Sequence, residues 1–134
     1  MDSPAIPINS RVRVLYRIDA RADAPAQARR IVISELSGRV TRRTLEKLQL
    51  LVSELVTNGV VHGRARRGDS ITLDLRVNST LRCAVVDPGS GFARRAARDR
   101  DGGWGLRLVE RLADRWGVQR TRQGTRVWFE TATD

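Results

Sequence analysis

The chain has 134 residues, a length for one domain, and its 40% hydrophobic and 30% charged residues are those of a folded globular chain, not a disordered or membrane-embedded one. A single cysteine, Cys83, excludes an internal disulfide framework and a multi-cysteine zinc site, and a domain this size buries enough surface to do without either. The net charge is +10, but all basic residues except Lys47 are arginine, spread from Arg11 to Arg126, which reads as GC-rich codon usage, and nucleic acid is not the expected partner.

Residues 1–10 are expected to form a flexible segment and residues 11–134 a single domain. Met1-Asp2-Ser3-Pro4 does not look like a secretion signal, and no apolar run approaches the roughly 20 residues of a membrane span, so a cytoplasmic protein is expected. Val12, Val14, Tyr16 and Ile18 alternate with Arg11, Arg13 and Arg17, the period of a half-buried strand. Asp23-Ala24-Pro25 opens a helix to about Gly38, with Asp23 as cap and an early proline. A second helix is predicted from about Thr41 to His62, stopped by Gly63. Ile71 to Val77 alternates as a strand, Asn78-Ser79-Thr80 turns it, and Leu81 to Val86 returns. After an irregular stretch from Asp87 to Gly103, Leu108, Val109, Leu112 and Trp116 mark an amphipathic helix. A hairpin closes the chain, with strands near Trp116–Thr121 and Thr125–Thr131 joined through Gln123-Gly124. One-faced strands and three helices predict an α+β, two-layer sandwich: a mixed, mostly antiparallel sheet with the helices on one face.

The second helix is apolar nearly all round between Leu45 and Val61, so it is expected to be central and buried. Glu54, Asn58 and His62 nevertheless share one stripe at i, i+4 and i+8. A buried carboxylate without a partner costs several kcal/mol. The stripe therefore either turns to solvent or faces a pocket. In a pocket, the Asn58 amide oxygen suits a hard cation such as Mg²⁺ and Glu54 suits a proton or a water. His62, beside Gly63, is placed for a helix-end contact.

Two glycine boxes follow. Val85-Val86-Asp87-Pro88-Gly89-Ser90-Gly91 runs a strand into Asp-x-Gly-x-Gly, where glycine admits a ligand to the backbone and Asp87 can accept from an exocyclic amine. Gly102-Gly103-Trp104-Gly105-Leu106 stands at a helix start, whose free N–H groups attract phosphate. Between them Phe92 to Asp101 is polar and arginine-rich, read as a lid over phosphates or as a solvated loop. Each box alone also reads as an ordinary tight turn.

In combination these motifs resemble the ATP-binding domain shared by gyrase, sensor histidine kinases and mismatch-repair ATPases. Ser53-Glu54-Leu55-Val56-Thr57-Asn58 with His62, and Gly105-Leu106 with Leu112-Ala113-Asp114-Arg115-Trp116-Gly117, look most like the stand-alone bacterial anti-sigma factor serine/threonine kinases, of actinobacterial type. The resemblance covers about residues 11–131. It implies that Asn58 binds Mg²⁺ and that Glu54 is the catalytic base or orienter. Asp87, assisted by Thr125, would hold the adenine amine, and Gly89 and Gly91 would shape the purine pocket. Gly103, Gly105 and Leu106 would admit the phosphates, and Arg100 would meet them from the lid. The implied activity is transfer of the γ-phosphoryl of ATP to a serine or threonine of an anti-anti-sigma protein, with sequestration of a sigma factor and hence regulation of transcription. The alternative is an ATP-binding regulator that grips its partner without phosphorylating it. A homodimer fits the family, although no single stripe demands one. The length leaves no room for the phosphoaccepting helix pair of a sensor histidine kinase or the transducer domain of a gyrase. Gly59, where the family usually has alanine, is expected to cost the helix about 1 kcal/mol and loosen the box. Trp104 and Asp101 are further departures from the pattern.

Overall fold

The computed structural model describes residues 12–61, 68–88, 106–122 and 124–133. Among these residues five strands and three helices follow one another as β1 (Val12–Asp19), α1 (Ala24–Leu36), α2 (Arg42–Val61), β2 (Ser70–Val77), β3 (Thr80–Asp87), α3 (Leu106–Leu112), β4 (Arg115–Thr121) and β5 (Gly124–Ala132). The strands form one sheet in the order β1-β2-β3-β5-β4, and all four pairings are antiparallel. This is the two-layer α+β sandwich that the one-faced strands require.

Alternation along each strand separates two faces. On the inner face Ile18, Ile71, Leu73, Leu75, Leu81, Cys83, Val85, Val127 and Phe129 are buried against the helices. Helix α1 contributes Ala24, Ala28, Val32 and Leu36, an i, i+4 stripe, to the same core. Asp23 precedes it without a side-chain cap: its carboxylate accepts from Gln27 Nε2 at 3.0 Å, so the capping role expected of it is not taken. Gly38, at φ 80°, and a 3.0 Å bond from Ser37 N–H to the Ile33 carbonyl end the helix.

Thr41 starts α2, its Oγ1 accepting from Thr44 N–H at 3.1 Å, the N-cap geometry for a threonine. The apolar composition of α2 overstates its burial. Leu48, Leu51, Val52, Leu55 and Val56 are buried, but Leu50 is 44% exposed, on the side turned away from the sheet and α1. The predicted third helix also ends early. Ala113 N–H still bonds the Val109 carbonyl at 2.8 Å, but Asp114 N–H already bonds Glu130 O at 2.8 Å in the sheet. Trp116 therefore belongs to β4, opposite Phe129, where its side chain packs on the same core from a strand.

Candidate functional site

The inner face turns polar at one end of the sheet. Along β3 the inward residues run Leu81, Cys83, Val85 and then Asp87, which is 2% exposed. Along β5 they run Phe129, Val127 and then Thr125, fully buried and opposite Asp87 in the ladder. Along α2 they run Leu51, Leu55 and then Asn58, 3% exposed. Three separate elements thus bring a carboxylate, a hydroxyl and a carboxamide to the end of one core.

Two glycines let the backbones converge there. Gly59 of α2 faces β2 and β3: a methyl group at its Cα would lie 3.3 Å from Ile71 Cδ1, 3.6 Å from Asp87 Cβ and 3.7 Å from Val85 Cγ1. Its missing side chain seats the helix close over Asp87, a packing role that its helix propensity conceals. Gly124, at φ 136°, approaches from the other side, and a methyl group there would lie only 1.8 Å from the Asp87 carbonyl oxygen. No L-side chain fits that contact. Spacing alone could not reveal either approach, although a glycine directly before Thr125 was the visible signal for the second.

Asn58 Nδ2 is buried and has no hydrogen-bond partner among the described residues. Such an orphaned donor costs about 1–3 kcal/mol and calls for a ligand or water that supplies the missing contact. Glu54, one turn earlier on the same stripe, is half-buried, so it reaches water and needs no internal cation. Leu106, buried at the start of α3, enters the core where α3 packs on α2. The remaining residues singled out from the sequence, His62, Gly89, Gly91, Arg100, Asp101, Gly103, Trp104 and Gly105, lie outside the described residues. Among the described residues no three His, Cys, Asp or Glu side chains cluster as a metal site. No helix described is long and apolar enough to cross a membrane.

Cys83 is fully buried, and burial, with the charge of Asp74, pushes its thiol far above the ordinary range. The thiol is a core group, not a reactive one.

The frame is a two-layer α+β sandwich whose core turns polar at one end of the sheet. The chain belongs to the histidine kinase-like ATPase domain family, whose profile matches residues 18–131. Among solved structures, the crystal structure of the RsbU and RsbW domains of Rv1364c from Mycobacterium tuberculosis is similar, with a TM-score of 0.68 and 21% identity. The match covers 90% of this chain and 32% of that one, and at this identity it is a likeness of fold. A search of curated proteins gives no significant match.

Proposed function

We infer that the chain binds ATP at the polar end of its core and acts as an anti-sigma factor kinase. The observation that carries this reading is the buried Asp87, its main-chain carbonyl against the bare Cα of Gly124 and its Cβ beside that of Gly59. A carboxylate has about four acceptor directions and suits the exocyclic amine of adenine, with the Thr125 hydroxyl beside it. The orphaned Asn58 amide supports a ligand at the same end. Rotation of the amide by about 180° exchanges its nitrogen and oxygen, so its free end serves a phosphate oxygen or a hard cation. A donor set of one carboxamide, phosphates and water suits Mg²⁺, which keeps several waters and takes few protein ligands. When bound, Mg²⁺ would neutralise charge on the phosphates.

In this reading Asp87 and Thr125 orient the purine, while Gly89, Gly91, Gly103 and Gly105 leave backbone room, with Leu106 starting the phosphate-side helix. Arg100 would offset phosphate charge. Glu54, half in water, takes the proton of the attacking hydroxyl as its oxygen bonds to Pγ and the bond from Pγ to the ADP oxygen breaks. The acceptor is a serine or threonine on an anti-anti-sigma protein, and the same chain holds a sigma factor when that partner is absent. Residues 11–134 would act as one unit.

Calorimetric titration with ATP, with and without Mg²⁺, tests the pocket. Micromolar binding that tightens with Mg²⁺ and is lost in Asp87→Asn is expected, and no binding at millimolar ATP would end the reading. Glu54→Ala then separates a kinase from a regulator that only binds: a kinase keeps ATP but loses transfer to its partner, whereas the regulator is unchanged.

A further inference from the structure

The three helices cover only the inner face of the sheet. The outer face carries six arginines in register. Arg13, Arg76, Arg82 and Arg115 form one cross-strand row with Glu130, and Arg17 and Arg126 form the row after next with Thr72 and Val86. Between these rows lies Leu15, opposite Asp74.

The carboxylates of this face are already engaged. Asp74 pairs with Arg13 at 3.7 Å and Arg76 at 3.4 Å, and Glu130 pairs with Arg82 at 2.5 Å and Arg115 at 3.7 Å. Arg82 also lies 5.0 Å over the Trp128 ring, which itself covers Gly117. Arg17 and Arg126 pair with no carboxylate among the described residues. They flank a concavity of about 1070 Å³ whose lining includes Leu15, Thr72, Asp74 and Val86. Leu15 is 61% exposed there, the largest exposure among the big apolar side chains described.

We propose that this helix-free face docks an acidic polypeptide segment in extended form, with carboxylates on Arg17 and Arg126 and an apolar side chain between them over Leu15 and Val86. The spacing supports it. Arg17 and Arg126 stand three inter-strand steps apart, roughly 14 Å, and same-side residues i and i+4 of an extended chain are roughly 13 Å apart. A second copy of this chain is the poorer occupant, because two-fold apposition would set arginine rows against arginine rows. Nucleic acid is also poorer, because the exposed Leu15 beside the arginines offers a phosphate nothing.

The concavity also borders Asp69 and Asp87, but the test uses no nucleotide. The probe is a fluorescein-labelled peptide repeating Glu-Thr-Leu-Thr, which shows glutamate and leucine alternately on one side when extended. Fluorescence anisotropy is expected to report saturable binding, absent for the Gln-Thr-Leu-Thr peptide. Arg17→Glu with Arg126→Glu should weaken it at least about tenfold and Leu15→Ser about threefold. Arg30→Glu with Arg43→Glu, the same charge change on the exposed sides of α1 and α2, should leave it intact. Unchanged melting temperatures would show that each variant folds. The proposal is overturned if the peptide does not bind, if both double variants weaken it equally, or if oligo-dT displaces it at equal concentration. It is overturned as well if sedimentation shows a dimer that Arg17→Glu with Arg126→Glu dissolves.

Discussion

Gly124→Ala is the sharpest test of how the polar end of the core is built. Alanine at φ 136° is strained by about 1–3 kcal/mol before any contact is considered. Its methyl group would also lie 1.8 Å from the Asp87 carbonyl oxygen and 2.9 Å from Pro88 Cα. Both are backbone atoms, so no rotamer change relieves the overlap, and the start of β5 must draw away from the end of β3. That separation loosens the pairing of Asp87 with Thr125, at about 1 kcal/mol per hydrogen bond lost. The total is about 2–4 kcal/mol, which at about 4 °C per kcal/mol lowers the melting temperature by about 8–16 °C. Urea unfolding should show the midpoint falling with little change in slope. ATP affinity, measured by titration below the melting temperature, should fall as well, because Asp87 and Thr125 no longer face each other. A loss under about 0.5 kcal/mol, with ATP affinity intact, would refute the tight approach and the pocket reasoning built on it.

Gly59→Ala should behave differently. The helix gains about 1 kcal/mol in propensity, and the 3.3 Å contact with the flexible end of Ile71 returns about the same, so stability should move by under about 1 kcal/mol, and ATP binding should persist, because 3.6 Å from Asp87 Cβ is ordinary contact. Urea titration and calorimetry check both, and a large loss of affinity would show that the methyl group displaces Asp87. Tyr16 donates to Glu35 at 2.6 Å, and that bond, with desolvation and the Glu35 charge, raises its phenol above the ordinary value of about 10. A raised folded-state value means that the stabilisation is complete below about pH 10 and is lost as the pH climbs through the folded value. The melting-temperature gap between wild type and Tyr16→Phe should therefore close at high pH, and a constant gap would contradict the coupling. The Cys83 thiol should resist a disulfide reagent in the native protein and react at once in about 6 M guanidinium chloride. Native labelling at a comparable rate would show that the centre of the sheet opens.

Much of the fold could be read from period alone. Val12 to Ile18 and Ile71 to Val77 each bury alternate residues, and the Asn78 turn lies where its side chain suggested, its Oδ1 accepting from Thr80 N–H at 3.2 Å. The boundary between α3 and β4 was not legible, because Leu108, Val109, Leu112 and Trp116 satisfy a helical stripe while Trp116 equally satisfies the inward side of a strand. Leu50 misled for a related reason: hydrophobicity says that a residue gains by burial, not that a neighbour is available to bury it. At the site, Asn58, Asp87 and Thr125 were recognisable as residue types at motif spacing. The roles of Gly59 and Gly124 were not, because each depends on a distance between elements far apart in sequence.

The two ends of the sandwich differ in the weight of the polar groups they bury. Opposite the pocket, Thr131 Oγ1 is buried without a partner among the described residues, while the other hydroxyls turn back to their own chain: Thr41 and Thr44 bond each other at 3.0 Å, and Thr44 Oγ1 reaches the Thr133 carbonyl at 3.4 Å. A hydroxyl satisfied in this way costs the fold little. At the pocket end the equivalent layer holds an aspartate, a threonine and an asparagine whose buried Nδ2 has no partner among the described residues. Each is dearer to bury than the valine or leucine one repeat earlier on its own element. Apolar packing fills the rest of α2, β3 and β5, and all three turn polar in the same layer. Folding alone gives no reason for that coincidence. Recognition of a polar, multiply charged ligand does, and the two glycines that narrow the same layer leave it room beside the backbone.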